Sequence, residues 1–557
     1  MDDDVFKKED NEIKKFTELR KKEEENFVIK MAQKAKLPYL NLLTQTINLD
    51  ALALLDEDIS RSAEIAVISK RDRDINVCVR NQNNPKTKSV IQSLQKKGFN
   101  VSLFLVSLQS LKKTWDFYGS IIKKGDDLTK ELEITPENLW KLKDEIQSID
   151  DFKEILEQTT SKNTSIVFEL IIAGSLSLDS SDIHIEPEDK VARIRFRVDG
   201  ILQEVTEIPI IMYQHILNRI KLLSELKINI TDTPQDGRFS ISTSESEKAI
   251  EIRTSVLPGP NGESVVLRVL NPDKLSVSIE DLGFLPHDLK SIEEEFQKPN
   301  GLIVVTGPTG SGKTTTLYSF LKAINTPGIK TITIEDPIEY HIEGISQSQV
   351  EPSKGYTFAS GLRSILRQDP DVILVGEIRD SETADIGLHA ALTGHLVFST
   401  LHTNDAPSSI LRLIDMKLNP HIIAPAINVV IAQRLVRKVC SYCAEQTFLT
   451  EDELNIIKES LSSLPSHIAM PEINEKTQIP KASGCEKCND TGYKGRIGIF
   501  EIFKINSETE DVIVSEPTQK NLIDIALKNG MITMKQDGFL KVLSGTTSLE
   551  EIERVTK

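Results

Sequence analysis

Residues Gly301–Ser319, GLIVVTGPTGSGKTTTLYS, decide the fold of the central part of the chain. An apolar run, Leu302–Val305, leads into a loop of three glycines, and the residues after the loop have the character of a helix. The spacing Gly307-x4-Gly312-Lys313-Thr314 is that of a phosphate-binding loop, because glycines let backbone N–H groups approach phosphates without a Cβ clash. The N-terminus of the helix favours the same negative charge.

This loop predicts a site for a nucleoside triphosphate. Lys313 would reach the β and γ phosphates, and the Thr314 hydroxyl would ligate Mg²⁺. A glycine-rich turn without a ligand is the alternative, but the complete pattern between a strand and a helix favours the nucleotide site. The predicted nucleotide-binding residues are Gly307, Pro308, Thr309, Gly310, Ser311, Gly312, Lys313, Thr314 and Thr315.

Carboxylates stand after two other apolar runs. Val372–Val375 predicts a second buried strand, and Glu377 follows it where a carboxylate can hold Mg²⁺ or its water. An exposed glutamate at an ordinary strand end is the alternative for Glu377. The segment Thr331–His341 predicts another strand end with three carboxylates, one of which would orient the attacking water near the terminal phosphate. These candidate catalytic residues are Glu335, Asp336 and Glu339.

Two histidines bracket a further apolar strand in TGHLVFSTLHTNDA. His395 precedes this strand and His402 follows it. A single histidine is more often structural than catalytic. We nevertheless expect both at the edge of a parallel sheet where ligands collect, which makes them candidate catalytic residues.

Four of the five cysteines form two C-x-x-C pairs, 41 residues apart. Four thiolates around one ion give the closed tetrahedral geometry of structural zinc, with no open position for catalysis. A redox pair or an iron–sulfur cluster is the alternative. The remaining cysteine, Cys78, lies in a strand-like segment and is predicted to be a core residue. The candidate metal ligands are Cys440, Cys443, Cys485 and Cys488.

Composition restricts the class of protein. The chain has 557 residues and a formal net charge of −17, which lowers the prior for nucleic acid as the main substrate and argues against adhesion to an anionic membrane. No run approaches the 18 or so apolar residues of a spanning helix, and the N-terminus has no apolar signal region. Paired cysteines in this spacing suggest a reducing compartment, so we expect a cytoplasmic protein.

Pattern changes along the chain predict several units. Residues 161–275 predict an α+β domain with alternating strands and an Asp199-Gly200 hairpin. Residues 276–435 alternate strands with helices and predict a mostly parallel, RecA-like sheet, which gives an α/β fold class overall. The other predicted segments are a charged arm over 1–28, a small α/β domain over 29–118, a helical linker over 119–160, a zinc-binding lobe over 436–500 and a helical segment over 501–557.

The nucleotide-site motifs together resemble those of the secretion ATPase superfamily. GPTGSGKTTTLYS, TIEDPIEY, RSILRQDPDVILVGEIRD and TGHLVFSTLHTND resemble its Walker A, Asp box, Walker B and His box. The match is to the branch that assembles type IV pili and type II secretion pseudopili. SSDIHIEPEDKVARIRFRVDG resembles the PAS-like domain of that branch, and AKLPYLNL resembles its N-terminal domain. The resemblance covers residues 30–557.

The resemblance implies roles for these motifs. ATP and Mg²⁺ would bind at Gly307–Thr314, Glu377 would be the Walker B acid, and the two histidines would sense the γ-phosphate. Arginines of the PAS-like domain contribute to the nucleotide site of another subunit in this family, and the matching positions are Arg195, Arg197 and Arg238. Exposed or salt-bridged strand arginines are the alternative. Before PQDGR the family carries a basic run, whereas this chain has Ile230–Thr233, ITDT.

The resemblance also implies partners. We expect a homohexamer that acts through an inner-membrane platform protein on pilin-like subunits, without direct nucleic acid contact. It would lie in the cytoplasm, peripheral to the inner membrane through protein partners. Three alternatives stay open: a DNA-uptake or conjugation-type ATPase, a pilus retraction ATPase, and a regulatory nucleotide-binding module without useful turnover. The cysteine lobe and the additional N-terminal domain favour assembly over retraction.

Overall fold

The computed structural model describes residues 24–35, 37–42, 49–71, 73–115, 117–118, 131–133, 146–159, 164–242, 249–272 and 277–557. Most of the predicted charged arm, most of the predicted linker and residues 273–276 lie outside these described residues. Among the helices of the described ranges, none has both the length and the apolar character to cross a bilayer.

The first unit is a small α/β structure, as predicted. Its sheet has the order β1-β2-β3, with β1 and β2 antiparallel and β2 and β3 parallel. Cys78 on β2 is fully buried, which confirms its core role. The strands are β1 (Ile65–Arg71), β2 (Asp74–Val79) and β3 (Asn100–Leu105). The helices are α1 (24–35), α2 (Leu49–Leu52), α3 (Glu57–Ser62), α4 (Pro85–Lys96) and α5 (Leu108–Trp115).

The second unit is the predicted α+β structure, built on a seven-stranded sheet of order β4-β8-β9-β10-β5-β6-β7. The strands are β4 (Glu131–Glu133), β5 (Asp182–Pro187), β6 (Val191–Val198), β7 (Ile201–Pro209), β8 (Gln235–Ser242), β9 (Ile250–Gly259) and β10 (Gly262–Leu270). The helices are α6 (Ile149–Thr159), α7 (Thr164–Ser177) and α8 (Ile210–Leu223).

The hairpin and the alternation predicted for this unit are confirmed. Asp199 and Gly200 have φ angles of 48° and 84°, the left-handed pair that a two-residue hairpin requires. Part of the predicted helical linker is instead a strand, Glu131–Glu133, which pairs with β8. Helix α6 also packs into the core of this unit, since the ring of Phe152 lies 5.5 Å from that of Phe196.

The third unit is the predicted RecA-like sheet, of order β13-β12-β14-β15-β11-β16-β19. All neighbouring strands are parallel except β16 and β19, which are antiparallel. The strands are β11 (Gly301–Thr306), β12 (Thr331–Glu335), β13 (Ser346–Gln349), β14 (Val372–Val375), β15 (Leu396–Leu401), β16 (Ile427–Val439) and β19 (Tyr493–Lys504). Between the last two, β17 (Glu445–Phe448) and β18 (Gln478–Lys481) form a small antiparallel sheet.

Helices cover both faces of this sheet, and the C-terminal segment is helical, as predicted. Its last helix is capped by Ser548, whose hydroxyl accepts a hydrogen bond from the Glu551 amide. The helices are α9 (Pro286–Phe296), α10 (Lys313–Ile324), α11 (Phe358–Ile365), α12 (Ser381–Leu392), α13 (Pro407–Asp415), α14 (Pro420–Ala426), α15 (Glu451–Leu461), α16 (Ser507–Ser515), α17 (Gln519–Lys528), α18 (Met534–Leu543) and α19 (Leu549–Thr556).

Candidate nucleotide site and cysteine cluster

The loop between β11 and α10 has a backbone that only glycine adopts without strain. Gly307, Gly310 and Gly312 have φ angles of 146°, 81° and 90°. A Cβ at Gly307 would lie 2.4 Å from the carbonyl oxygen of Gln433 on β16. The loop is therefore held against the neighbouring strand, with space only for glycine at its start.

Lys313 is the first residue of α10 and is buried. Its Nζ donates to the carbonyl oxygens of Gly307 at 2.8 Å and Pro308 at 3.1 Å. Burial lowers the pKa of Lys313, and the negative charge of Glu377 partly offsets this shift. The Ser311 hydroxyl oxygen is buried and has no hydrogen-bond partner among the described residues. A buried ammonium and a free hydroxyl beside glycine amides fit a phosphate ligand.

Glu377 and His402 lie at one edge of the sheet, as predicted, because β14 and β15 are parallel and adjacent. The Glu377 Oε2 atom is 3.4 Å from His402 Nε2, and its Oε1 atom is 2.5 Å from an Arg379 nitrogen. The Glu377 side chain is 15% exposed, so it can still reach a ligand. These positions agree with a Mg²⁺-associated acid next to the phosphate loop.

The expectation that His395 shares this edge is wrong. His395 precedes β15, and its carbonyl oxygen accepts from the Gly301 amide at the start of β11. Six residues of strand separate His395 from His402, about 20 Å at the usual rise of an extended chain. The His395 ring nitrogen Nδ1 is 3.0 Å from the Ala390 carbonyl oxygen. The two histidines of one motif therefore lie at opposite ends of a single strand.

The three Asp-box carboxylates occupy three different environments. Glu335 is buried at the end of β12 and accepts from the Tyr318 hydroxyl, from Thr333 Oγ1 at 2.5 Å and from Gln347 Nε2 at 3.1 Å. Asp336 is exposed. All three therefore stay candidates for orienting water, although Glu335 is the most firmly held.

The third carboxylate, Glu339, is bound by a residue that sequence reasoning missed. Arg253 on β9 lies 2.9 Å from Glu339 Oε2 and donates to the Ile338 carbonyl oxygen at 2.8 Å. Burial raises the pKa of Glu339, and the Arg253 guanidinium opposes that shift. Strand alternation places Arg253 on one face of its sheet, but no local pattern indicates that the RecA-like unit covers that face.

The predicted arginines pair with carboxylates of their own sheet. Arg195 binds Glu186, and Arg197 Nε is 3.2 Å from an Asp182 oxygen. The Arg238 side chain is 67% exposed and 3.9 Å from Glu251. Within the described residues, each of the three arginines therefore contacts a carboxylate of its own sheet. Their contribution to the nucleotide site of a neighbouring subunit stays a prediction.

A cavity of about 330 Å³ lies between the α+β unit and the phosphate loop. Gly312 and Thr315 line it from the loop side, and Ser175 and Val269 line it from the α+β side. This volume falls within the usual range of small-molecule sites. The phosphate loop therefore opens into a cleft formed by two units of the chain.

The four predicted ligand cysteines come together. Their sulfur atoms all lie within 4.8 Å of one another, and three of the separations are 4.0, 3.8 and 3.7 Å. Four sulfurs at the usual Zn–S length of about 2.3 Å would stand about 3.8 Å apart, so the set fits tetrahedral zinc. The Cys485 and Gly492 amides donate to the Cys488 sulfur, each at 3.2 Å. Burial acts to raise the pKa of Cys488, and these amide bonds lower it overall.

Comparison with known proteins identifies the family. The family described as "Type II/IV secretion system protein" matches residues 157–554. The type IV pilus assembly ATPase PilB of Myxococcus xanthus is 34% identical over 516 residues, which cover 93% of this chain and 88% of that protein. The type II secretion system protein E of Pseudomonas aeruginosa is 40% identical over 420 residues, which cover 75% of this chain and 80% of that protein.

A solved structure supports the fold independently. The ATPase DotB of Legionella pneumophila superposes with a TM-score of 0.51 at 22% identity, and the match covers 70% of this chain and 95% of that one. At this identity the likeness concerns the fold alone. Together with the sequence matches and the phosphate loop, it leads to one conclusion: the chain belongs to the family of type II/IV secretion system proteins and is an ATPase.

Proposed function

We propose that the chain hydrolyses ATP between its α+β and RecA-like units and converts hydrolysis into relative motion of the two, which drives assembly of a type IV pilus or a type II secretion pseudopilus. The observation that carries the proposal is the left-handed glycine loop with buried Lys313, which opens into the cleft between these units.

The residues at the cleft have separate tasks in this proposal. The loop amides and Lys313 bind the β and γ phosphates, and the N-terminus of α10 supports the same charge. Thr314 and the carboxylate of Glu377 would hold Mg²⁺, which would supply positive charge to the phosphates when bound. One Asp-box carboxylate orients the attacking water, and His402, within 3.4 Å of Glu377, connects the state of the γ-phosphate to that acid.

The cysteine cluster has a structural task. Cys440, Cys443, Cys485 and Cys488 would hold one zinc ion, a closed site that would stabilise the cysteine lobe over 436–500. The sulfur separations and the amide bonds to Cys488 support this assignment over a redox pair.

The assembly pathway rests on the relatives and the family resemblance. The M. xanthus relative is named a pilus assembly ATPase, and the P. aeruginosa relative a type II secretion protein. By the resemblance, the cysteine lobe is typical of assembly members rather than retraction members. In this proposal a homohexamer acts on an inner-membrane platform protein from the cytoplasmic side, and pilin-like subunits are moved indirectly.

Lys313→Ala tests the nucleotide site. We expect ATP affinity to fall by roughly 100-fold or more, because the variant loses charge-assisted hydrogen bonds to two phosphates. Fluorescence titration with a labelled ATP analogue measures this. Lys322→Ala, at the other end of α10, is the matched control and should bind as the wild type does. Unchanged affinity of Lys313→Ala would refute the site.

A deletion strain tests the pathway. We expect loss of surface pili or of a set of secreted proteins, with recovery by the wild-type gene and none by the Lys313→Ala gene. Electron microscopy of the cell surface and mass spectrometry of the medium separate the two pathways. A strain that keeps both properties but loses DNA uptake would instead favour the DNA-handling alternative.

A further inference from the structure

The tip of the β6–β7 hairpin touches the chain that follows the second cysteine pair. The Asp199 Oδ2 atom accepts a hydrogen bond from the Gly495 amide at 2.8 Å, and its Oδ1 atom is 3.9 Å from Arg496 Nε. A second contact joins the same regions, because the Ile149 amide at the start of α6 donates to Asn489 Oδ1 at 2.8 Å. The α+β unit is thus held to the cysteine lobe at two places.

Backbone geometry fixes the direction of both contacts. Asp199 and Asn489 have φ angles of 48° and 50°, and each follows an element of defined shape. Asp199 is the first residue of the hairpin turn, and Asn489 follows Cys488 directly. The fold of the second cysteine pair therefore sets where Asn489 and Gly495 meet the α+β unit.

This contact is also part of the wall of the nucleotide cleft. Asp199, Gly495 and Arg496 line the cavity of about 330 Å³ into which Gly312 and Thr315 of the phosphate loop open. The Asp199 side chain is only 23% exposed, so its bond to Gly495 is partly shielded from water. Loss of the bond would remove one of the two hydrogen bonds that join the α+β unit to the cysteine lobe, the one that lies at the wall of the cleft.

We infer that Asp199 is a positioning residue for ATP binding: it attaches the α+β unit to the cysteine lobe and so closes the far wall of the nucleotide cleft. The inference rests on the proposed function, because the cleft must bind ATP for its wall to matter. It makes the cysteine lobe a determinant of nucleotide affinity.

Two substitutions at Asp199 separate the hydrogen bond from the turn. Asp199→Gly removes the side chain but keeps a residue that tolerates the left-handed turn, and Asp199→Asn keeps both the turn and an acceptor for the Gly495 amide. We expect Asp199→Gly to raise KM for ATP by about tenfold with kcat little changed, the scale of one bond to a charged group. Asp199→Asn should stay close to the wild type.

The result that would overturn the inference is a wild-type KM for Asp199→Gly, or an equal rise for Asp199→Asn. Zinc content is measured in every variant, and loss of zinc from Asp199→Gly would also overturn it, since the defect would then be one of folding. The Lys313→Ala titration is independent of these results. If that variant binds ATP normally the proposed function fails, whereas a wild-type Asp199→Gly beside a defective Lys313→Ala refutes only this inference.

A double variant tests the route through the cysteine lobe. Asn489→Gly removes the acceptor of the Ile149 amide and also keeps a left-handed backbone. In the double variant Asp199→Gly/Asn489→Gly, we expect KM to rise by less than the product of the two single rises. The reason is that both contacts are made to the same stretch of chain after Cys488. Hydrogen exchange should quicken around Ile149 in Asp199→Gly as well as around Gly495. Independent effects on KM, with exchange changed only beside each substitution, would contradict the shared route.

Discussion

The cysteine cluster and the nucleotide site are built in opposite ways. The cluster takes its four ligands from two stretches of four residues, and its geometry depends on short local turns. The nucleotide site takes its groups from the ends of β11, β12, β14 and β15, which join only because these strands are parallel and adjacent. A site of the first kind can be read from spacing, whereas a site of the second kind depends on strand direction and order.

The two sites should also fail differently. Loss of one cysteine removes a ligand on which a whole lobe depends, so the defect should be in folding. Loss of one group at the sheet edge leaves a packed core behind it, so the defect should be in binding or turnover. The following variants test this contrast.

Cys443→Ser should give the largest effect. Structural zinc contributes on the order of 10 kcal/mol to the folding of small sites, so we expect loss of zinc and rapid hydrogen exchange across residues 436–500. Metal analysis by mass spectrometry and exchange measurements test both. Cys78→Ala should keep the zinc content of the wild type, and a wild type without zinc would contradict the cluster assignment.

Glu377→Gln should give a large effect of the other kind. We expect ATP binding to persist while turnover falls by about 100-fold, the scale of lost electrostatic stabilisation in a transition state. A coupled phosphate-release assay measures turnover. Glu382→Gln, an exposed residue on α12 that pairs with Arg363, is the control and should turn over normally. An active Glu377→Gln would break the assignment of the Walker B acid.

Variants of the two histidines test whether the direction of β15 decides which of its ends reaches the nucleotide. His402→Ala should lower turnover by about tenfold, since it removes the ring that contacts the Glu377 carboxylate. His395→Ala should leave turnover unchanged, because this residue lies at the other end of β15. The same assay compares both variants with the wild type. Equal defects in the two would contradict the placement of His395 away from the site.

The last prediction concerns the stability of the fold at the C-terminal helix α19, away from both sites. Burial acts to raise the pKa of Glu551, but bonds from Arg554 and Arg437 lower it from 4.5 to about 2. Because the folded-state pKa lies below the unfolded one, this carboxylate stabilises the fold above about pH 4.5, and the contribution disappears as the pH falls towards 2. We expect Glu551→Gln to lose about 2 kcal/mol at pH 7, after allowance for solvent around Arg554.

Urea unfolding followed by circular dichroism measures this difference at several pH values. The difference in the free energy of unfolding between Glu551→Gln and the wild type should be largest at pH 7 and should decrease below pH 4.5. A gap that stays constant across this range would show that the charge of Glu551 does not contribute.

The contrast between the two sites also explains what the sequence could predict. The phosphate loop, the cysteine pairs and the Asp199-Gly200 turn are local patterns, and the structure has the predicted geometry at each. The period-two alternation predicted the strands of the α+β unit for the same reason, because neighbouring residues determine it.

Predictions that needed tertiary information were less successful. The prediction for His395 was wrong because the motif TGHLVFSTLHTND contains residues from both ends of strand β15. The sequence alone does not show which of these ends faces the ligand. Arg253 was missed because its partner Glu339 lies 86 residues further along and on another unit. The strand Glu131–Glu133 was missed because three residues are too few to establish a period-two pattern, and its pairing with β8 is a long-range event.

Strand β16 gives the molecule a mechanical property. Gln433 accepts from Thr316 Oγ1 at 2.8 Å, next to the phosphate loop, and six residues later the same strand ends at Val439, directly before Cys440. This span, about 20 Å of extended chain, pairs with β19, and the register of the pairing shifts between Arg437 and Val439. A small shift of the loop would thus be carried along the regularly paired part of β16 to Arg437, and the irregular pairing before Val439 is the point at which the strand can bend between the nucleotide site and the metal-bearing end.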